Sequence, residues 1–173
     1  MKFYRTLHPR PVVVIGSGEV EKGEINFMAC AWITPLSEEP SLVGFSCSKE
    51  NYTHRLVKKF HQFSVNVIDD CELIFKLGST SGEEINKVEA FHLRVKRGKV
   101  LKVPLLEEAL ANLECLVVKE VDLGDHTFFV GEVKNWEAKN FEEYGFKDFW
   151  RVPLHKGGRA FCYPSKKLIF VQK

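Results

Sequence analysis

No apolar run in this 173-residue chain approaches the roughly 20 residues that a membrane-crossing helix requires. The basic start, MKFYRTLHPRP, meets a proline before any apolar segment that would mark a secretion leader. A cytoplasmic protein with no membrane partner is the expectation. Charge of one sign is also missing. The 25 Lys and Arg stand against 23 Asp and Glu, and a formal net charge of +2 makes too weak a field to grip a phosphate backbone, so nucleic acid is not expected as a partner. The five cysteines, Cys30, Cys47, Cys71, Cys115 and Cys162, are odd in number and never paired as CxxC, which argues against a disulfide framework and a closed zinc site. Nucleotide and hydrolase signatures are absent too. The GSG at 16–18 lacks the third glycine of a dinucleotide fingerprint, there is no P-loop, GxSxG or HExxH, and the six histidines are dispersed, so no metal site is expected.

What remains is an ordinary core-forming composition, 45% hydrophobic and 28% charged, and a length that favours one domain over residues 1–173. Strand signals dominate: PVVVIGS at 11–17, MACAWITPL at 28–36, LVGFSCS at 42–48 and FSVNVID at 63–69 are short, rich in β-branched or aromatic residues, and bounded by Gly or Pro. The polar GSGEVEKGE joins the first two as a hairpin. A second hairpin, the strongest in the chain, folds about Gly124-Asp125. Helical spacing is confined to short pieces at 53–60 and 104–113. Strands and helices do not alternate as βαβ units, so an all-β dominated fold with few short helices is expected. The closing KKLIFVQK reads either as a last strand or as a tail packed on a partner.

Two stretches look unlike plain core. In NFMACAWIT at 26–34, Ala29 and Ala31 alternate beside Trp32; small residues let a flat ring come close to the backbone, and Met28 and Trp32 offer polarisable surface to it. Tight packing of a central strand is the competing reading. In SCSKENYTHR at 46–55, a strand runs directly into a helix start that carries hydroxyls at Ser46, Ser48 and Thr53 and cations at Lys49 and Arg55. Such a turn suits an anion, because the helix dipole and its unpaired N–H groups both favour one; simple capping by Thr53 is the alternative.

Taken in order, RPVVVIGS, the block MACAWITPLSEEPSLVGFSCSKENYTHRLV, FxVNV, SGEEINKVEAF, GDHTFFVGEV and LHKGGRAFCY span nearly the whole chain, and they resemble the flavin reductase-like family built on the FMN-binding split barrel, which includes flavoredoxins and archaeal ferric reductases. The resemblance implies a six-stranded antiparallel Greek-key barrel, working as a homodimer with FMN near the interface. It implies cofactor contacts from Asn26 and from Met28, Ala29, Cys30, Ala31, Trp32, Ile33 and Thr34 along the ring and ribityl chain. Ser46, Cys47, Ser48, Tyr52, Thr53, His54 and Arg55 would receive the phosphate, and so would Lys87, although its neighbours depart from the family's pattern. Cys47 and His126 become the candidates for redox chemistry. The implied activity carries electrons from NAD(P)H through FMN to free flavin, ferric complexes or another small acceptor. The alternative is a flavoredoxin-like carrier that passes electrons between redox partner proteins without a nicotinamide.

Overall fold

The structure is a computed structural model that describes residues 2–169. The strands are β1 (Arg10–Pro11), β2 (Val13–Glu19), β3 (Glu24–Cys30), β4 (Ile33–Ser37), β5 (Leu42–Ser48), β6 (Gln62–Val67), β7 (Val95–Arg97), β8 (Pro104–Leu106), β9 (Ala111–Leu123), β10 (His126–Ala138), β11 (Phe141–Glu142), β12 (Gly145–Phe146), β13 (Leu154–Gly157) and β14 (Ala160–Cys162). Three α-helices, α1 (Tyr52–Phe60), α2 (Cys71–Ser79) and α3 (Lys87–Ala90), and three short 3-10 helices at Phe3–Leu7, Val20–Lys22 and Phe149–Arg151 complete the regular structure of the described residues. The chain is therefore mostly β with few short helices, the split-barrel class expected from the sequence.

The main sheet runs β3-β2-β6-β9-β10-β5-β4, with every neighbouring pair antiparallel. Its two edges, β3 and β4, are successive in the chain but are not paired with each other, so the sheet curls without closing. It has seven strands where six were expected because the run 28–36 breaks after Cys30; there the Trp32 carbonyl accepts from the Ser46 N–H at 2.8 Å. The hairpin expected about Gly124-Asp125 is the β9–β10 pair, turning on Gly124 at φ 68°.

The unbroken VVVI at 12–15, where β2 begins, is explained by burial on both sides. Val13 and Ile15 face the interior with Phe45, Phe63 and Phe129. Val12 and Val14 face outward into a second cluster with Ile74 and Leu77 of α2. The inner rings interlock, Phe63 edge-on to Phe45 with centroids 4.8 Å apart and Phe129 stacked on Phe45 at 5.5 Å. The Glu114 carboxylate, 1% exposed, accepts N–H bonds from Lys99, Val100 and Leu101 and one from the Asn135 amide, pinning the β7–β8 turn to the barrel.

The expected helix over 104–113 is not formed: Pro104–Leu106 is strand and Ala111 begins β9. Side chains of β6 take over its backbone. Ser64 donates to the Pro104 carbonyl at 2.5 Å, and the Leu106 N–H donates to Asn66 Oδ1 at 2.8 Å. Tertiary partners thus outweigh a weak helical propensity. The tail from Tyr163 to Ile169 has no regular structure, and the rest of the expected KKLIFVQK element, 170–173, lies outside the described residues.

Candidate functional site

Where β3 ends, the outer face of the barrel meets α2. The close approach of Gly78 to Ala29 defines the groove there: a Cβ on Gly78 would stand 3.0 Å from Ala29 Cβ, so only small residues fit. Two cavities meet at this point, sharing Met28, Ala29, Asn51, Gly78 and Ser79.

The first cavity, about 360 Å³, has aromatic walls. Trp32 stacks on His126 with centroids 5.0 Å apart, and Tyr4 meets Trp32 edge-on at 5.3 Å. Ser46 and Ser48 reach it because β5 alternates; Phe45 and Cys47 on the same strand turn inward. Among the described residues lining this cavity, Arg10, His8, His126 and His155 stand without a single carboxylate. His126 Nδ1 lies 2.7 Å from Asp125 Oδ1, just outside.

The second cavity, about 290 Å³, is lined mostly by polar groups, Asn26, Tyr52, Thr53, Thr80, Ser81 and Lys87 among them, and by one carboxylate, Glu50. It opens on the first turn of α1, whose N-cap Asn51 makes no side-chain cap bond, so the N–H groups of Tyr52 and Thr53 are left for a ligand while that of His54 bonds the Cys47 thiol. Thr53 Oγ1 accepts from Asn26 Nδ2 at 2.9 Å, which leaves the hydroxyl proton free to donate. Gly82 is required here, since a Cβ would come within 2.2 Å of Asn26 Oδ1. Lys87, 5% exposed, spends two of its three donors on the Phe27 and Leu77 carbonyls at 2.9 and 2.8 Å. Burial pushes its ammonium down to about 8.

Of the residues singled out from the sequence, the structure brings Met28, Ala29, Cys30, Ala31, Trp32, Ser46, Ser48 and His126 around the first cavity, and Asn26, Tyr52, Thr53 and Lys87 around the second. Five lie off both. Ile33 packs against the inner core, and Thr34 is exposed and bonded to the Pro35 carbonyl. His54 is buried against Thr127 Oγ1 at 2.9 Å, and burial, helped by Lys58, lowers its pKa, so it carries no charge near neutrality. Arg55 pairs with Glu83 and lies over the Tyr52 ring. The Cys47 thiol sits in the inner core, 1% exposed, and burial pushes it up to about 11; its link to the groove is Asn51, whose amide reaches both Cys47 Sγ and Met28 Sδ.

Sequence reasoning missed the α2 wall, with Phe75, Gly78 and Ser79, and the cluster of Tyr4, His8, Arg10, His155 and Phe161. For α2 a signal was present: Asp70 caps the helix by accepting the Leu73 N–H at 2.9 Å, Glu72 follows in the first turn, and apolar residues recur at 73, 74 and 77.

A family profile described as "Flavin reductase like domain" matches residues 4–154. An uncharacterized protein of Archaeoglobus fulgidus is 44% identical over 129 residues, 73% of this chain and 71% of its own. A ferric-chelate reductase (NAD(P)H) of the same organism is 35% identical over 130 residues, covering 72% and 75% of the two chains. The crystal structure of an FMN-binding protein from Thermus thermophilus with bound 1-cyclohex-2-enone superposes with a TM-score of 0.88 at 29% identity, over 98% of this chain and 94% of that one.

Proposed function

Since the chain belongs to the flavin reductase-like family, we propose that it holds FMN along the joined cavities and passes electrons from NADH or NADPH to a small acceptor such as free flavin or a ferric complex. One observation carries this reading: a single groove is divided into an aromatic, histidine-lined half and a polar, donor-lined half that meet over Ala29 and Gly78. A flat ring fits the first and a phosphate the second. When bound, FMN supplies the conversion between two-electron donors and one-electron acceptors.

The chain's own residues bind, orient and exclude water. The Tyr52 and Thr53 N–H groups at the start of α1, the Thr53 hydroxyl and the third donor of Lys87 hold the phosphate. Ala29 and Gly78 keep the waist of the groove clear. The Trp32–His126 pair walls the ring half. With His126 Nδ1 directed at Asp125, Nε2 is the imidazole atom placed to exchange a proton at the cavity. Cys47, a neutral thiol at pH 7, supplies no thiolate nucleophile and acts on the groove through Asn51.

The test is to load the purified chain with FMN, remove the excess and mix it without oxygen with NADH or NADPH. Bleaching of the visible flavin band within seconds is the expected result. Persistence of the band identifies a carrier, and a chain that takes up no FMN overturns the proposal.

A further inference from the structure

Arg10 and His155 face each other across the β1–β13 ladder, so residues near opposite ends of the chain share one face of a small sheet. Both line the first cavity, with His8 beside them, and none of the three lines the second. The guanidinium of Arg10 lies over the Trp32 ring at 5.6 Å. Its Nη2 stands 3.3 Å from His8 Nε2, its Nε is buried with no hydrogen-bond partner, and its Nη1 bonds to none of the described residues. No ion pair among the described residues includes Arg10, and no carboxylate lines the cavity. A partly buried cation with open donors and no counter-charge is costly unless an anion completes it.

The cluster holds that cation in a fixed pose. His8 Nδ1 is 2.9 Å from the His155 carbonyl, an acceptor, so Nδ1 carries the proton and Nε2 offers its lone pair to Arg10. His8 is therefore a positioning residue. His155 Nε2 donates in the same way to the Gly158 carbonyl at 3.3 Å, and burial lowers the His155 pKa, keeping that ring neutral. The surroundings are flat: the Trp32 face, the Tyr4 edge, and Phe161 packed 5.4 Å from His155. A tetrahedral phosphate finds the start of α1, the Thr53 hydroxyl and the free donor of Lys87 in the second cavity, beside the Glu50 carboxylate. At Arg10 it would find one planar fork between rings.

We propose that Arg10, positioned by His8, docks the carboxylate of a small aromatic acid, so that ligands of this class seat in the first cavity beside the cofactor. The proposal rests on the FMN reading for what lies next to the acid, though not for the docking itself.

The test titrates the FMN-loaded full chain with benzoate and with benzamide, a neutral molecule of the same shape, following the flavin difference spectrum. Benzoate is expected to saturate at concentrations at least tenfold below benzamide. Arg10→Gln should weaken benzoate about ten- to a hundredfold and leave benzamide within about twofold, with Arg10→Lys, which keeps the charge and loses the fork, falling between. Should the chain take up no FMN, calorimetry with benzoate on the flavin-free protein still compares wild type with the variants, so the two readings fail separately. Equal binding of benzoate and benzamide, or equal benzoate affinity in wild type and both variants, overturns the proposal. Displacement of benzoate by adenosine 2′-phosphate in an Arg10-dependent manner also overturns it, since Arg10 would then serve the nicotinamide nucleotide.

Discussion

Removing the Thr53 hydroxyl tests the phosphate end of the groove most directly. Thr53 is 1% exposed and its Oγ1 already accepts from Asn26 Nδ2 at 2.9 Å, so the hydroxyl proton is the only donor it has left to give to a ligand. Thr53→Ala removes that donor and also orphans an amide N–H on Asn26, itself 4% exposed. Two losses of different size follow. A hydrogen bond to a charged acceptor is worth about 1.5–3 kcal/mol, so FMN affinity should fall roughly ten- to 150-fold. The orphaned amide should cost the flavin-free protein about 1–3 kcal/mol, which for a domain of this size lowers Tm by roughly 2–10 °C. Riboflavin separates the two effects, because it carries the same ring without the phosphate and its roughly two negative charges. Fluorescence titrations with both flavins should show a large loss for FMN and little for riboflavin, and Thr53→Ser should restore FMN binding. Equal losses for both flavins, or a Ser variant as weak as Ala, would refute the phosphate assignment and leave Thr53 as a packing and capping residue.

Lys87 predicts a pH dependence: with its ammonium pushed down to about 8, FMN affinity should drop as pH rises through 8 while riboflavin affinity stays level. The flavin-free protein should gain stability between about pH 8 and the ordinary lysine value of 10.5, because over that range the folded state has shed a proton that the unfolded chain still holds; calorimetric scans across that range check the sign. Glu114→Gln places an amide N–H₂ among donors that now share one carboxylate, and should cost about 2–4 kcal/mol in urea unfolding. Although desolvation opposes it, the backbone and Asn135 bonds hold the Glu114 carboxyl below its ordinary value, so its contribution is present above that value and is lost in acid as pH falls through the folded pKa. Cys47→Ala should leave the bound flavin spectrum nearly intact and slow delivery of electrons to the acceptor; loss of FMN or unfolding instead would assign the thiol to packing alone. Light scattering with saturating FMN should return the mass of two chains, since Trp136 and Phe141 stand 57% and 48% exposed next to each other at 5.8 Å; the mass of one chain refutes the dimer.

The strands of the barrel were legible because their cause is local. Alternation in 42–48 and in the β9–β10 hairpin, and glycine at the turn, follow from side-chain period and backbone sterics alone. The stretches at 26–34 and 46–55 could each be marked as unlike plain core from composition, but only the family resemblance joined them as one site. Periodicity says which residues share a face and not which face is inside, so the inward turn of Cys47, with Ser46 and Ser48 outward, was settled only when β5 paired with β4 and β10. The same holds for 104–113, a helix by spacing and a strand once Ser64 and Asn66 claimed its backbone groups. Lys87 could be read as a phosphate ligand, but its two bonds to the Phe27 and Leu77 carbonyls, which leave it a single donor for a ligand, exist only because α3 docks against β3 and α2. The Arg10–His8–His155 cluster had no sequence signal at all, because its members lie 147 residues apart and meet through one short strand pair. Local rules act between neighbours along the chain, whereas a binding groove is made of surfaces from distant segments, and only the burial that packs those segments together decides what faces it.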